Sequence, residues 1–171
     1  MLIIMSQQKS KNITEKLFTP LIINIKESLS SFYLYKDVND VLTKKIRKKL
    51  GNKCSKFGYV KQESINILER SIGRINSSHF SGSVIFDLKL EIQVCNPKEG
   101  DTLIAKVIGK NKMGILAENR PIIIALSKLH HSDPQIFNSI TTNQLVKVVV
   151  IDSKFELNDT EIHVIARLEG H

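Results

Sequence analysis

One twelve-residue stretch constrains the fold more than any other part of the chain. From position 84 to position 95, residues of one face are all apolar and those of the other are mostly polar. The apolar face carries Val84, Phe86, Leu88, Leu90, Ile92 and Val94, and the other carries Ile85, Asp87, Lys89, Glu91, Gln93 and Cys95. A period of two is typical of a strand with one buried face. The stretch therefore predicts a long, half-buried antiparallel strand.

A helix is predicted upstream, between Asp37 and Gly51. Asp37 suits the N-cap position, and Gly51 suits the position just past the last turn. The residues between them that share one apolar stripe at helical spacing are Val38, Val41, Leu42, Ile46 and Leu50.

The rest of the N-terminal half indicates further short strands. Strands are predicted over residues 18–25, 59–68 and 71–76, with a loop at Ser28, Ser30 and Ser31 and turns at 77–79 and 81–83. Together these elements predict an α+β domain, one helix on a few antiparallel strands. We expect it to span residues 12–96, after a flexible extension at 1–11 and before a polar joint, Asn96–Gly100.

The C-terminal half, residues 97–171, reads as five strands. They are predicted at 101–109, 112–118, 121–126, 144–152 and 160–168, and a short loop or helix occupies 132–143. Five strands with an insertion between the third and fourth give the layout of an OB-fold barrel. A five-stranded barrel without a nucleic-acid role has the same pattern.

The net charge of +8 is concentrated in one segment. Residues 41–62 contain no acidic residue, and their basic residues are Lys44, Lys45, Arg47, Lys48, Lys49, Lys53, Lys56 and Lys61. The first five of these belong to the predicted helix. Such a segment favours a polyanionic partner through phosphate neutralisation. It is equally typical of a solvated helix face.

The loop after the helix is a candidate docking surface. Its candidate residues are Lys53, Cys54, Lys56, Phe57, Gly58 and Tyr59. Exposed aromatic residues beside lysines suit a docking tip, although the same rings could turn back into the core. We also expect the lysines around Cys54 to lower the pKa of its thiol.

No grouping of residues indicates catalysis. The chain has no GxxxxGK, GxGxxG, HExxH or GxSxG motif, and no carboxylate or cysteine cluster accompanies His130–His131. The sequence therefore predicts neither an enzyme nor a metal or cofactor site. The two cysteines lie far apart in the sequence and form no CxxC pair. No apolar run is long enough to span a bilayer, and Met1–Met5 does not have the features of a signal peptide. We expect an intracellular protein.

The C-terminal half contains a series of short motifs at Gly100–Asp101, Lys112–Leu116 and Ile124–Leu129, followed by a closing hairpin at 146–152 and 162–168. In these residues it resembles the ribosomal S-one type of OB domain.

The order of the two halves is similar to that of the RNA polymerase stalk family. This family includes the seventh subunit of eukaryotic RNA polymerase II and the archaeal stalk subunit. The matching features are a leading strand, a helix, Gly51, Lys53–Cys54, Gly58–Tyr59 and a long strand up to Cys95. In its abundance of Ile, Lys and Asn, the chain resembles members of this family that are encoded by large DNA viruses.

This resemblance implies a non-catalytic subunit with several partners. A tip domain would dock on the polymerase core, a second stalk subunit would form a heterodimer with the chain, and the OB domain would lie near nascent RNA. The location implied is the nucleus, or the host cytoplasm and virion for a viral protein.

The chain departs from the RNA-binding members of the OB superfamily at three positions. Met113, Leu116 and Ala125 stand where an aromatic residue, a second aromatic residue and a histidine are usual. RNA contact would therefore be weak and would depend on Lys106, Lys110, Lys112 and Lys128. Two alternatives remain, a free-standing RNA-binding factor of translation or RNA decay and an assembly module without RNA contact.

Overall fold

The computed structural model describes residues 17–77, 82–130 and 136–169, without the side chains of residues 136 and 138. The expected extension at 1–11, most of the turns at 77–83 and the histidine at 131 lie outside this part of the chain. The described residues divide into two compact units. The helix–sheet unit comprises 19–53 and 60–94, and the barrel unit comprises 17–18, 54–59 and 95–169. The fold is α+β, as the sequence predicts.

The N-terminal elements are six strands, which form one antiparallel sheet, and one helix, which covers that sheet. They are β1 (Thr19–Ser30), α1 (Val38–Leu50), β2 (Lys53–Ser55), β3 (Gly58–Val60), β4 (Asn66–Arg70), β5 (Arg74–Ile75) and β6 (Ser83–Cys95). The sheet has the order β1–β6–β3–β2, and β4 and β5 also pair with β6. The central strand β6 is the predicted long strand, and all six residues of its apolar face are buried.

Strand β1 is longer than the sequence predicts. It pairs with β6 over twelve residues, from Thr19 opposite Val94 to Ser30 opposite Ser83. The predicted loop at Ser28 and Ser30 is therefore wrong. Those serines are exposed on the outer face of the strand, where their polar side chains are compatible with the ladder. Ser31 begins a 3₁₀ turn that ends at Tyr33.

Helix α1 begins and ends where its capping residues predict. The Asp37 carboxylate accepts hydrogen bonds from the backbone N–H groups of Asn39 at 2.9 Å and Asp40 at 3.3 Å. At the other end, the Gly51 N–H donates to the Arg47 carbonyl at 2.9 Å. Leu42 and Ile46, from the predicted apolar stripe, are fully buried.

The predicted strand at 59–68 is interrupted. β3 ends at Val60 and β4 begins at Asn66, with a 3₁₀ turn at Gln62–Ser64 between them. The Ser64 hydroxyl stabilises this turn because it donates to the Lys61 carbonyl at 2.7 Å and accepts from the N–H of Gln93 at 2.8 Å. The predicted strand at 71–76 is reduced to the two residues of β5.

The C-terminal strands close into a barrel. They are β7 (Thr102–Lys110), β8 (Gly114–Asn119), β9 (Ile122–Ser127), β10 (Leu145–Lys154) and β11 (Ile162–Leu168), with α2 (Ile136–Ser139) between β9 and β10. The order around the barrel is β7–β8–β9–β11–β10, and β10 pairs again with β7. The pairing of β9 with β11 is parallel and the others are antiparallel. This is the predicted five-stranded OB-type barrel.

Candidate functional site

The loop at 52–59 is a tight hairpin made by β2 and β3. Cys54 is buried with the apolar core of the barrel unit, and Tyr59 is half-buried against that core, 6.4 Å from the Phe18 ring. Gly58 is also buried, at a φ of 117°, and a side chain there would overlap the Cys95 carbonyl. Three of the six candidate docking residues thus face inward, and one of the two rings turns toward the core.

The outer part of the hairpin consists of Lys53, Lys56 and Phe57. Lys56 is exposed, and its ammonium lies 4.8 Å from the centre of the half-buried Phe57 ring. This is the distance of a cation–π contact. These residues are the part of the predicted docking loop that a partner can reach.

The expected low pKa of Cys54 is wrong. Burial, with a smaller contribution from the Asp159 carboxylate, raises the pKa of this thiol to about 11. Burial and the neighbouring Cys54 raise the pKa of Cys95 to about 12. The Cys54 N–H donates to the Asp159 carbonyl at 2.7 Å, which holds the residue inside the unit. Loss of hydration here outweighs the nearby lysines, because their ammonium groups stay in solvent.

The basic helix contains cations of two kinds. Lys45 and Lys49 form ion pairs with Glu27 of β1, whose side chain is 5% exposed. Lys44 pairs with Asp40 one turn earlier, at 2.7 Å. The side chains of Arg47 and Lys48 are exposed and have no ion pair or hydrogen bond with any described residue. Three of the five helix cations are thus engaged within the fold.

Three of the four candidate RNA-facing lysines lie at one end of the barrel. Lys110 ends β7 and donates to the Ile140 carbonyl at 3.1 Å, Lys112 follows in the next turn, and Lys128 follows β9. The Lys128 N–H donates to the Met113 carbonyl at 3.2 Å, so the two turns are adjacent. Lys106 lies four residues before Lys110 on β7, about 13 Å along the strand.

The outer face of the barrel beside these lysines is aliphatic. Leu116 pairs with Ala125, and Ala125 pairs with Ile165, so the three residues form a row across β8, β9 and β11. Ile108, at a bulge in β7, stands beside this row. Leu116 and Ile165 are each 42% exposed, and Met113 nearby is 80% exposed. No aromatic residue belongs to this row, so these three residues offer no ring on which a base could stack.

A cluster of exposed rings lies between β1 and α1, and the sequence reasoning missed it. Phe32 is 65% exposed, Tyr35 is 68% exposed and Tyr33 is 42% exposed. The chain has three Tyr and seven Phe, and these three positions fall within four residues. That local enrichment was the available signal. We call Phe32, Tyr33, Tyr35 and the adjacent Lys36 the ring cluster.

No group of three or more potential metal ligands occurs within the described ranges 17–77, 82–130 and 136–169. Over the same ranges, no helix combines the length and apolar character required to cross a membrane.

Comparison with known proteins gives one informative similarity. No protein-family model matches the chain. A protein of Acanthamoeba polyphaga mimivirus, named as a DNA-directed RNA polymerase subunit, is 28% identical over 155 residues. The chain is similar to a viral polymerase subunit. The alignment covers 84% of this chain and 77% of the mimivirus protein, so the similarity extends beyond the barrel into the helix–sheet unit.

Proposed function

We propose that the chain is a non-catalytic stalk subunit of a multisubunit DNA-directed RNA polymerase. The observation that carries this proposal is the succession of a helix–sheet unit and an OB-type barrel in a chain similar, over 84% of its length, to a mimivirus protein named as a DNA-directed RNA polymerase subunit. Catalysis would belong to other subunits. The location would be that of the polymerase, in the nucleus or, for a viral enzyme, in the host cytoplasm and virion.

Docking on the polymerase core would use the outer part of the β2–β3 hairpin. Lys56 and Phe57 offer a cation and a ring at its turn, whereas Cys54 and Gly58 hold the hairpin in place from within. A rigid turn that presents an aromatic residue costs little conformational entropy on binding.

The barrel would lie near nascent RNA but would contact it weakly. Lys106 and Lys112 are exposed and Lys128 is half-buried, whereas Lys110 already donates to the Ile140 carbonyl. Electrostatic attraction without stacking gives weak and salt-sensitive binding.

A pure assembly module is the second candidate, and the aliphatic row favours it. Leu116, Ala125 and Ile165 form an exposed apolar surface that suits a polypeptide better than RNA. A second stalk subunit would be the occupant. The remaining alternative, a free-standing RNA-binding factor, requires tight RNA binding by the isolated chain.

Isolation of the tagged chain from the cells that produce it tests the proposal. We expect the large polymerase subunits to accompany it, as identified by mass spectrometry. Lys56→Glu combined with Phe57→Ala should reduce their recovery, whereas the matched change Lys154→Glu, at an exposed position on β10, should not. Recovery of ribosomes or RNA-decay complexes without polymerase, or of no partner, would contradict the proposal.

A further inference from the structure

The ring cluster is ordered by its own contacts while most of its surface stays in solvent. Phe32 stands nearly perpendicular to Tyr33 and Tyr35, with ring centres 5.6 Å and 5.4 Å away. The Lys36 ammonium lies 5.9 Å from the centre of Tyr33 and 5.6 Å from that of Tyr35. Edge-to-face pairs and cation–π contacts fix the rings relative to one another. The cluster is therefore a preformed set of exposed aromatic surfaces.

A groove connects the ring cluster to the basic helix. It has a volume of about 640 Å³, and its lining includes Tyr33, Lys36, Val41, Lys44 and Lys45. One turn beyond Lys44, about 5 Å along the axis of α1, the same side of the helix presents Arg47 and Lys48. Rings at one end and cations along the wall thus share one continuous surface of the helix–sheet unit.

The acidic residues around this surface are occupied within the fold. The Asp37 carboxylate caps α1, that of Asp40 pairs with Lys44, and that of Glu27 pairs with Lys45 and Lys49. Arg47 and Lys48 have no carboxylate partner among the described residues, and the Lys36 ammonium lies beside the Tyr33 and Tyr35 rings. The surface therefore presents uncompensated positive charge beside exposed aromatic rings.

We propose that the ring cluster, with Arg47 and Lys48, binds single-stranded nucleic acid. Bases would stack on Phe32 and Tyr35, and phosphates would contact Lys36 beside the rings and Arg47 and Lys48 on the adjoining side of α1. Cationic grooves with exposed rings are the usual device for unpaired strands, since every base offers a face for stacking. A duplex keeps its bases stacked inside and cannot use the rings.

Several features favour a nucleic acid over a protein at this surface. The centres of protein–protein interfaces are depleted in lysine, whereas here lysine lies directly on the rings. The acidic groups that would repel phosphates are already paired within the fold. RNA and DNA share the base and phosphate chemistry involved, so the experiment must separate the two.

Fluorescence anisotropy with the full chain tests this site. The probes are labelled RNA and DNA strands of about 12 nucleotides and a DNA duplex of equal length. We expect single strands to bind more tightly than the duplex. Phe32→Ala combined with Tyr35→Ala should weaken single-strand binding by at least about 30-fold. Arg47→Ala combined with Lys48→Ala should reduce the steepness of the logarithmic salt dependence by about 1.4.

Two control variants make the result specific. Phe32→Tyr combined with Tyr35→Phe keeps both rings and should bind like the wild type. Leu157→Ala removes an exposed apolar side chain, 70% exposed, from the barrel unit and should have no effect.

Unchanged binding by the Phe32→Ala, Tyr35→Ala variant would overturn the site. Loss of polymerase subunits from that variant, with oligonucleotide binding intact, would also overturn it and identify a protein-docking surface. Tighter binding of RNA than of DNA would identify RNA as the strand recognised, and the reverse order would identify DNA.

Discussion

The outer face of the barrel and the ring cluster of the helix–sheet unit differ in the side chains that they expose. The barrel face has an aliphatic row, Leu116, Ala125 and Ile165, with lysines at its margin. The ring cluster has three exposed rings with a lysine on them. The OB architecture suggests nucleic-acid binding by the barrel, yet the residues suited to stacking lie in the other unit. A fold is thus a poor guide to where its binding chemistry lies.

The cations of α1 also fall into two groups, those that a ligand can reach and those that already form ion pairs within the fold. The sequence places the entire charge excess in residues 41–62. The structure assigns Lys45 and Lys49 to the buried carboxylate of Glu27, and it leaves Arg47 and Lys48 open. Net charge describes attraction at a distance, whereas the partners of each cation decide which ones a ligand can reach.

The largest expected effect distinguishes a buried ring of the barrel from an exposed ring of the cluster. Phe137 of α2 is fully buried in the barrel core, so Phe137→Ala should lower the free energy of unfolding by about 3–5 kcal/mol. Phe32→Ala should change it by less than about 0.5 kcal/mol, because that ring is mostly in solvent. Urea titration followed by circular dichroism measures both. Similar losses for the two variants would contradict the assignment of Phe32 to a surface role.

The next effect distinguishes paired from open cations on α1. Changing Lys45 and Lys49 together to Met leaves the buried Glu27 carboxylate without its partners. We expect a loss of about 2–3 kcal/mol, below that of a fully buried pair because both ammonium groups are half in solvent. Arg47→Ala with Lys48→Ala should cost less than about 0.5 kcal/mol. If the second variant is destabilised as much as the first, the division of the helix cations is wrong.

A third effect, absent at neutral pH, concerns the two thiols of the barrel unit. Their folded pKa values, about 11 and about 12, exceed the ordinary value of 9.0, so the unfolded chain loses these protons first as the pH rises. The stability that the thiols contribute should be complete below pH 9 and should be lost as the pH rises from 9 to about 11 for Cys54 and to about 12 for Cys95, by up to about 1.4 kcal/mol per pH unit for each thiol. Urea midpoints over this range measure the slope.

A variant with Cys54→Ala and Cys95→Ala provides the control for this slope. It should show a flatter dependence on pH, because it lacks both thiols and because the pKa of Tyr59, which burial and the two thiols raise, is then raised less. Native thiols should also react slowly with iodoacetamide at about pH 8. Modification at the rate of the urea-unfolded chain would contradict the burial of both side chains.

The smallest expected effect concerns the barrel lysines. Reversal of Lys106, Lys112 and Lys128 to Glu should weaken the binding of a single-stranded oligonucleotide by less than about threefold, because no stacking accompanies those charges. Anisotropy titrations at one salt concentration compare this variant with the Phe32→Ala, Tyr35→Ala variant. A larger loss from the barrel variant would reverse the comparison between the two units.

Much of the fold could be predicted because its signals are local and redundant. Strand β6 carries an unbroken period of two, and α1 has both of its capping residues. The extent of β1 could not be predicted, since its last serines are strand residues only because β6 lies beside them. The break between β3 and β4 depends on a hydrogen bond from the N–H of Gln93 to the Ser64 hydroxyl, and no local pattern encodes that contact.

The candidate site was harder to predict than the fold. The sequence identifies the lysines of α1, but it does not show which of them form ion pairs. That depends on Glu27, which lies 22 residues before Lys49. Burial of Cys54 likewise depends on residues more than a hundred positions away, including the Glu161 carbonyl at 3.8 Å from its sulfur. The ring cluster has a signal in its local density of aromatic residues, but that density alone does not distinguish exposed rings from rings buried in the core.

Ultraviolet crosslinking of the full chain to a labelled single-stranded RNA tests the division between the two units most directly. Mass spectrometry then locates the crosslinked peptides. We predict crosslinks at Phe32, Tyr33 or Tyr35, at a yield well above that of any peptide from β7 to β11. Crosslinks confined to the barrel strands would contradict the account, because they would show that the barrel carries the nucleic-acid contact without stacking residues.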